Sequence, residues 1–479
     1  MKVRANQTNW NICDVALPDD VINAFYERRG VLFISAGCSI SSGLPSAAEL
    51  ARTAIVAAHA GNAVSLEVFC QDTFGSPSPT LDEVAEYFLI RDGNLSSFAE
   101  LIPFQHWSVP PNGVHKGVVR LAVEGFVDKV LTTNWDMLLE TACHVMACSH
   151  IPLRSAGDLA LPRNVDLSIY KIHGCKTMTT TLIAATSQLE SGSAEYLWSD
   201  PQVVAAFQGS LVAFLGYSGS IPRISGSMAR VAQWSQQTGI RHYAVDTKAW
   251  EEFRNAAPEF VAAAGLDEGR FLSSGAVEFV EELVHRLVRR LVLEIAIDEA
   301  PRQFREVAAL TQEPDQLFAS PDDFIDATAN GEIADELMRT ITRQFERYPS
   351  ITAHKRILGR LFAWVAFLRN LGWSTAGGLP ILQRGNEYLY LAAVEPGGAA
   401  IKASHHVTQL LRQNRDFRRT ILGSGTQPVR CVLMGAQGDL PFSRASIALN
   451  APASDIAYGE PPNIVFYTET QFIAEVQAA

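Results

Sequence analysis

The sequence predicts an α/β protein: a doubly wound parallel sheet carrying a helical insertion, followed by a smaller α+β domain. Three observations carry this expectation. From residue 30 to about 295, short apolar runs ending in small or polar residues alternate with stretches of helical periodicity. The polar clusters GCSISSG, TNWD, HG and GYSGS each fall directly after one of those runs. Beyond about residue 298 the alternation ends in a stretch rich in proline and acid, DEAPRQF followed by TQEPDQLFASPDDF.

The clearest strands are VLFISA (31–36), VDKVLTT (127–133), LSIYKIH (167–173), SLVAFLGYS (210–218) and RHYAVD (241–246). Helices are expected over 113–124, 135–147, 200–209, 226–238 and 275–294. Strands alternating with helices give a parallel sheet covered on both faces. In such a sheet ligands sit beyond the carboxyl ends of the strands, so the four polar clusters should converge on one crevice. Residues 46–112 are rich in helix formers and broken by FGSPSPTLDE and WSVPPNG, which reads as a helical insertion walling that crevice. The expected domains are 1–298, a linker over 299–320, and 321–479. The last contains an acidic helical stretch (321–348), the amphipathic helix HKRILGRLFAWVAFLRNLG, and the strands EYLYLAAV, VRCVLMGA and NIVFYTE.

Composition narrows the class. Of the 479 residues, 47% are hydrophobic and 19% charged, the balance of a folded globular chain and not of a disordered or fibrous one. No apolar run reaches the roughly 18 residues of a membrane span, and the polar, acidic start lacks the core of a signal peptide. A cytoplasmic protein with no membrane contact is expected. The seven cysteines are scattered and never spaced C-x-x-C, so neither a disulfide framework nor a zinc site is indicated. A net charge of −12 argues against indiscriminate nucleic-acid binding. Yet residues 351–430 hold eleven Lys and Arg against three Asp and Glu, and RQNRDFRR (412–419) is a candidate for local phosphate-backbone contact.

The clusters differ in what they offer. In VLFISAGCSISSGLPS, Ala36, Gly37, Ser39 and Gly43 let backbone approach a phosphate closely, although the pattern is not G-x-G-x-x-G. In TTNWD, Thr133 and Asn134 end a strand. Asn134 is expected to cap the following helix and also to orient a water or sugar hydroxyl, and Asp136 favours the helix start. In IYKIHGCK, His173 is the general-base candidate. In FLGYSGS, Gly216 and Ser218 suit a nucleotide, as does Asp246 at the end of YAVD.

In this order the motifs resemble the sirtuin signature. SAGCSISSGLP is similar to G-A-G-x-S-x-x-S-G-x-P, TTNWD to T-x-N-x-D, KIHG to the family's H-G, and GYS to its G-T-S or G-Y-S, over residues 30 to about 295. The resemblance implies a Rossmann-like domain that binds NAD as substrate and cuts the nicotinamide–ribose bond. It implies catalytic roles for Asn134, Asp136 and His173. Ala36, Gly37 and Ser39 would lie on the phosphates and ribose, Thr133 would be a further cofactor-binding residue, and Gly216, Ser218 and Asp246 would touch the adenosine half. The paired C-x-x-C motifs of the deacylases are absent, Ser35 replaces the first glycine, and SAAEL stands where those enzymes carry D-F-R with its NAD-positioning arginine. These departures resemble the zinc-free sirtuin-like effectors of bacterial anti-phage systems, which deplete NAD when triggered.

The expectation is therefore a triggered NAD glycohydrolase that needs no zinc, assembled as a homo-oligomer. Its later domain would meet an ATPase- or Argonaute-type defence partner or a phage-derived trigger. The alternatives are an NAD-dependent deacylase or ADP-ribosyltransferase, and a non-catalytic nucleotide-sensing module of a defence complex.

Overall fold

A parallel sheet buried on both faces needs strands that are apolar at successive residues. Strand β1 (Gly30–Ile34) is buried along its whole length, as are β4 (Leu167–Lys171) and β5 (Leu211–Leu215). They belong to a seven-stranded sheet with β2 (Lys129–Thr132), β3 (His150–Leu153), β6 (Tyr243–Asp246) and β7 (Phe271–Ser273). All pairings in it are parallel, in the order β3-β4-β2-β1-β5-β6-β7. The chain works outward from β1 on one side and returns to place β5 on the other, so the strand order reverses beside β1. That reversal opens a crevice at the carboxyl ends of β1, β2 and β5.

The computed structural model describes residues 15–161, 164–189, 198–199, 201, 204–205, 210–216, 241–308, 350, 352, 355–375, 381–393, 429–434, 446–448 and 463–478. Ser218, the expected helix 226–238, most of 200–209, the stretch 309–349 and the basic cluster 412–419 lie outside them. The chain divides into two compact units, Met1–Leu287 and Val288–Ala479. Among the described residues no helix is long and apolar enough to cross a membrane.

In the first unit the short helix α1 (Asp19–Tyr26) and α2 (Gly37–Ile40) flank β1. The insertion follows as α3 (Ala47–His59), α4 (Leu66–Phe74), α5 (Leu81–Asp92) and α6 (Ser96–Leu101). A capping box starts α3: Ser46 Oγ accepts from the Glu49 amide at 3.3 Å while Glu49 accepts from the Ser46 amide at 2.7 Å. The insertion has its own core, in which Leu50, Ala54, Phe88 and Phe98 pack with Trp135 and Leu138. Helix α7 (Gly113–Val123) matches the expected span. Helix α8 (Leu138–Val145) begins three residues later than expected, and short α9 (Thr186–Leu189) follows β4. Under the sheet, Phe33 and Phe214 meet at 5.3 Å, and Phe214 meets Phe260 edge-on at 5.0 Å. Phe260 comes from α11 (Pro258–Ala263), which follows α10 (Trp250–Ala256). Gly117 of α7 has no room for a side chain, since a Cβ there would sit 2.3 Å from Val280 of α12 (Ala276–Glu294).

Strands β3 and β7 were not expected. Both are at the edges of the sheet, they are only four and three residues long, and β3 carries Pro152. An edge tolerates proline and half-exposed residues, which is why the apolar run that marks a central strand is missing there.

The second unit holds a six-stranded mixed sheet. Its strands are β8 (Ser374–Thr375), β9 (Ile381–Arg384), β10 (Glu387–Ala393), β11 (Val429–Met434), β12 (Ser446–Ala448) and β13 (Asn463–Thr468), in the order β12-β13-β11-β10-β9-β8. Gly385, at φ +60°, turns the β9–β10 hairpin. Among the described residues this unit also holds helices α13 (Ala300–Ala308), α14 (Lys355–Asn370) and α15 (Glu469–Ala478). Arg360 of α14 donates from Nε to Glu469 at 2.6 Å, and the buried Trp364 indole donates to the same carboxylate at 2.5 Å. The α+β expectation for this region holds.

Two glycines bring the β1 and β5 loops together. The Gly37 amide donates to the Gly216 carbonyl at 3.1 Å. Gly216 has φ +63°, and a Cβ on it would lie 2.5 Å from the Cys38 amide nitrogen. Gly216→Ala should therefore cost about 2–3 kcal/mol in urea unfolding of this unit, strain and clash together. Gly93→Ala, at φ +70° with open space around it, should cost only about 1 kcal/mol. Equal losses in the two variants would show that the loop contact contributes nothing.

Candidate functional site

The crevice is a cleft of about 1570 Å³. Ala36, Gly37, Ser39, Thr133, Asn134, Asp136, His173, Gly216 and Asp246 all line it. Ser218 is outside the described residues.

At its centre β1 and β2 are tied beyond their last residues. Ser35 Oγ and Thr133 Oγ1 are 2.9 Å apart and both buried. The Asn134 amide group donates to the Ser35 carbonyl at 3.2 Å and to Ser39 Oγ at 3.0 Å. Ser39 in turn donates to Asp136 Oδ2 at 2.8 Å. Both Asn134 amide protons are thus used, which leaves its Oδ1 as an acceptor, buried and without a partner. Asn134 does not cap the helix, contrary to the sequence reading. Asp136 takes that work, accepting from the Leu138 amide through Oδ1 at 2.9 Å, while Asn134 is turned back toward β1. A helix that starts at Leu138 frees Asn134 for the cleft.

The loop after β1 also differs from expectation. The amides of Gly37, Cys38 and Ser39 donate to the carbonyls of Gly216, Ser35 and Ala36. They are spent inside the protein, so these three amides do not form a ring of open N–H donors. The positive charges lining the cleft, among the described residues, are Arg52 of α3 and Lys248 after β6.

Sequence reading missed Asn112 and His115. Asn112 caps α7 with Oδ1, accepting from the Val114 amide at 3.0 Å, and its amide group donates to the Cys38 carbonyl and to Ser41 Oγ, each at 2.7 Å. Since Oδ1 only accepts, His115 Nδ1, 2.7 Å away, carries the proton. Its Nε2 then faces Ser39 Oγ at 3.5 Å as a lone pair. The signal available was PPNGVH, an N-cap asparagine with a histidine on the first turn, but no spacing ties it to Ser39.

Burial sets the histidines. Desolvation lowers His173 from 6.5 to about 3. Desolvation also lowers His115 to about 4, with Asp136 opposing and Lys171 reinforcing the shift. His173 is therefore neutral across the physiological range, the form that can accept a proton. Gly174 after it, at φ +80°, lies so close to Thr181 that a Cβ would meet that carbonyl oxygen at 2.1 Å. Trp135, which also lines the cleft, packs in the insertion core, edge-on to Phe98 at 6.3 Å. Asp246 accepts from the Lys248 amide at 2.9 Å in a tight turn.

Residues 128–267 match the family model described as a SIR2-like domain. The chain carries a SIR2-like domain. Solved structures similar to it include a Sir2 homologue–NAD complex, 14% identical, covering 58% of this chain and 96% of that one at a TM-score of 0.32. A Sir2 enzyme solved for mechanism and regulation is 13% identical over 57% and 99%, at 0.34. Sir2 with an inhibitor, 2′-O-acetyl-ADP-ribose and a deacetylated peptide is 14% identical over 56% and 98%, at 0.31. A search of curated proteins returns no match. Among the described residues of the SIR2-like domain, no group of three or more His, Cys, Asp or Glu is placed to hold a metal.

The histidine shifts have a stability consequence. Folded values below 6.5 mean that the unfolded chain takes up protons first, so the stability they contribute is complete above 6.5 and is lost as pH falls toward 3. His242, which accepts from the Val212 amide at 3.3 Å, is likewise lowered to about 4 by desolvation, with Arg270 adding to it. The urea midpoint of the first unit should fall between pH 7.5 and 5, and fall less in His173→Gln. An identical pH dependence in that variant would contradict the buried, neutral assignment.

Proposed function

We propose that the chain is an NAD glycohydrolase that cuts the nicotinamide–ribose bond to give nicotinamide and ADP-ribose. The observation that carries this reading is the buried, unpartnered Oδ1 of Asn134, a residue that lines a cleft with volume enough for a dinucleotide. An asparagine whose amide protons are both held presents one fixed acceptor, which suits a ribose hydroxyl or a water. The polar end of the cleft would take the nicotinamide ribose, Arg52 the diphosphate, and Asp246 a hydroxyl of the adenosine ribose.

The chemistry asks little of acids. When the bond breaks, its electron pair goes to the positively charged ring nitrogen and nicotinamide leaves neutral. Water adds to the ribose carbon and loses one proton. That water becomes acidic as it bonds to an electron-poor carbon, so a weak base such as the neutral His173 suffices to accept from it. The Ser39, Asn134 and Asp136 cluster orients the reactants, and exclusion of bulk water does the rest.

The zinc-free motif set, and the separate second unit, support a role as an anti-phage effector that depletes NAD on a trigger. Asn134→Ala and His173→Ala should each lower NAD cleavage about 100-fold with the fold kept. Arg52→Ala should raise KM for NAD roughly tenfold and leave kcat nearly unchanged. Nicotinamide release by purified protein, with and without lysate of phage-infected cells, is the assay. Turnover of acylated peptide that consumes NAD would move the reading to a deacylase, and NAD bound but intact under every condition would move it to a nucleotide sensor.

A further inference from the structure

Lys171 is the last residue of β4, two before His173, and is 1% exposed. It pairs in register with Thr132, the last residue of β2. Its ammonium donates to the backbone carbonyl of Asp136 and lies 3.2 Å from the carboxylate of Glu140, a buried residue on α8. We infer that Lys171 is a positioning residue: by holding the Asp136 carbonyl, it fixes the Thr133–Asp136 segment that presents Asn134 to the cleft.

Three considerations support this. First, the other four positions of β4, LSIYK, are Leu, Ser, Ile and Tyr packed in the sheet, and an apolar residue at the fifth would fill the same place without the desolvation cost of a charge. A buried ion pair gives no stability that a well-packed apolar pair would not give. What a Met or Leu could not do is donate to a carbonyl.

Second, the donor is kept charged. Burial works against the ammonium, but Glu140, Cys175 and Asp136 outweigh it and raise the Lys171 pKa.

Third, the contact completes the fastening of the segment on three sides. Asn134 and Thr133 bind toward β1, the Asp136 carboxylate binds Ser39 and the start of α8, and the Asp136 carbonyl is bound from β4. Remove the last, and the peptide between Asp136 and α8 is free to rotate. Displacement of a reacting group by about 1 Å is enough for roughly a 100-fold loss of rate.

The kinetic part of the test rests on the NAD-cleavage reading, and the exchange part does not. In Lys171→Met/Glu140→Met, which removes both charges at similar volume, kcat for NAD should fall at least about tenfold while KM stays within about threefold. Amide hydrogen exchange at Asn134 and Leu138 should speed up by about tenfold, with the β1 amides unchanged. Wild-type kcat together with wild-type exchange would overturn the inference. If wild type cleaves no NAD, the proposed function fails and the exchange still decides. If the double variant does not fold, Glu140→Gln decides, because its lysine still donates to the carbonyl. Its kcat and exchange should stay within about threefold of wild type, and a tenfold change in either would contradict a role carried by that contact.

Discussion

The hydrogen bonds that Asn134 makes backward to Ser35 and Ser39 are the constraint on which the rest of the site depends. They join the loops after two neighbouring parallel strands at the point where the strand order reverses, and they use up both amide protons of one side chain. Everything nearby follows from that. The helix after β2 must begin late, at Leu138, with Asp136 supplying its cap. Ser39 becomes an acceptor from Asn134 and a donor to Asp136, so its hydroxyl has one orientation. The remaining Asn134 oxygen is left as a buried, unmatched acceptor on a residue that lines the cleft. In a low-dielectric surround an acceptor held in this way is costly to leave unmatched, and correspondingly effective once a ligand hydroxyl meets it.

The insertion belongs to the same construction. Trp135 sits between Asn134 and Asp136 in the chain and packs with Phe98 and Phe104. Its ring anchors the loop in an apolar core made by helices that also wall the cleft. The alternation of one anchored aromatic between two polar residues lets the loop be rigid and polar at once. On the other side, the close contact of Gly37 with Gly216 sets the depth of the cleft at β1 and β5, and neither position has room for a side chain.

Much of this was legible in the sequence, and the failures are physical. The central strands declared themselves because a strand buried on both faces must be apolar throughout, as VLFI and LVAFL are. The edge strands HIPL and FLS did not, because an edge carries no such requirement. The convergence of GCSIS, TNWD, HG and Asp246 followed from the parallel sheet alone. What sequence could not supply was direction. An asparagine after a strand and before a helix reads as a cap, and only the fold shows that Asp136 caps instead. His173 reads as a general base and His115 is not marked at all, and only their burial shows that both are neutral. His115 and Lys171 reach the site from α7 and β4 through contacts with no fixed spacing, so no local pattern could have announced them.

The most direct measurement is proton NMR of NAD incubated with the purified chain, alone and with lysate of phage-infected cells, using Asn134→Ala as the blank. The account predicts nicotinamide and ADP-ribose accumulating one for one with wild type and not with the blank. NAD that binds the wild-type cleft and remains intact in every condition would contradict it.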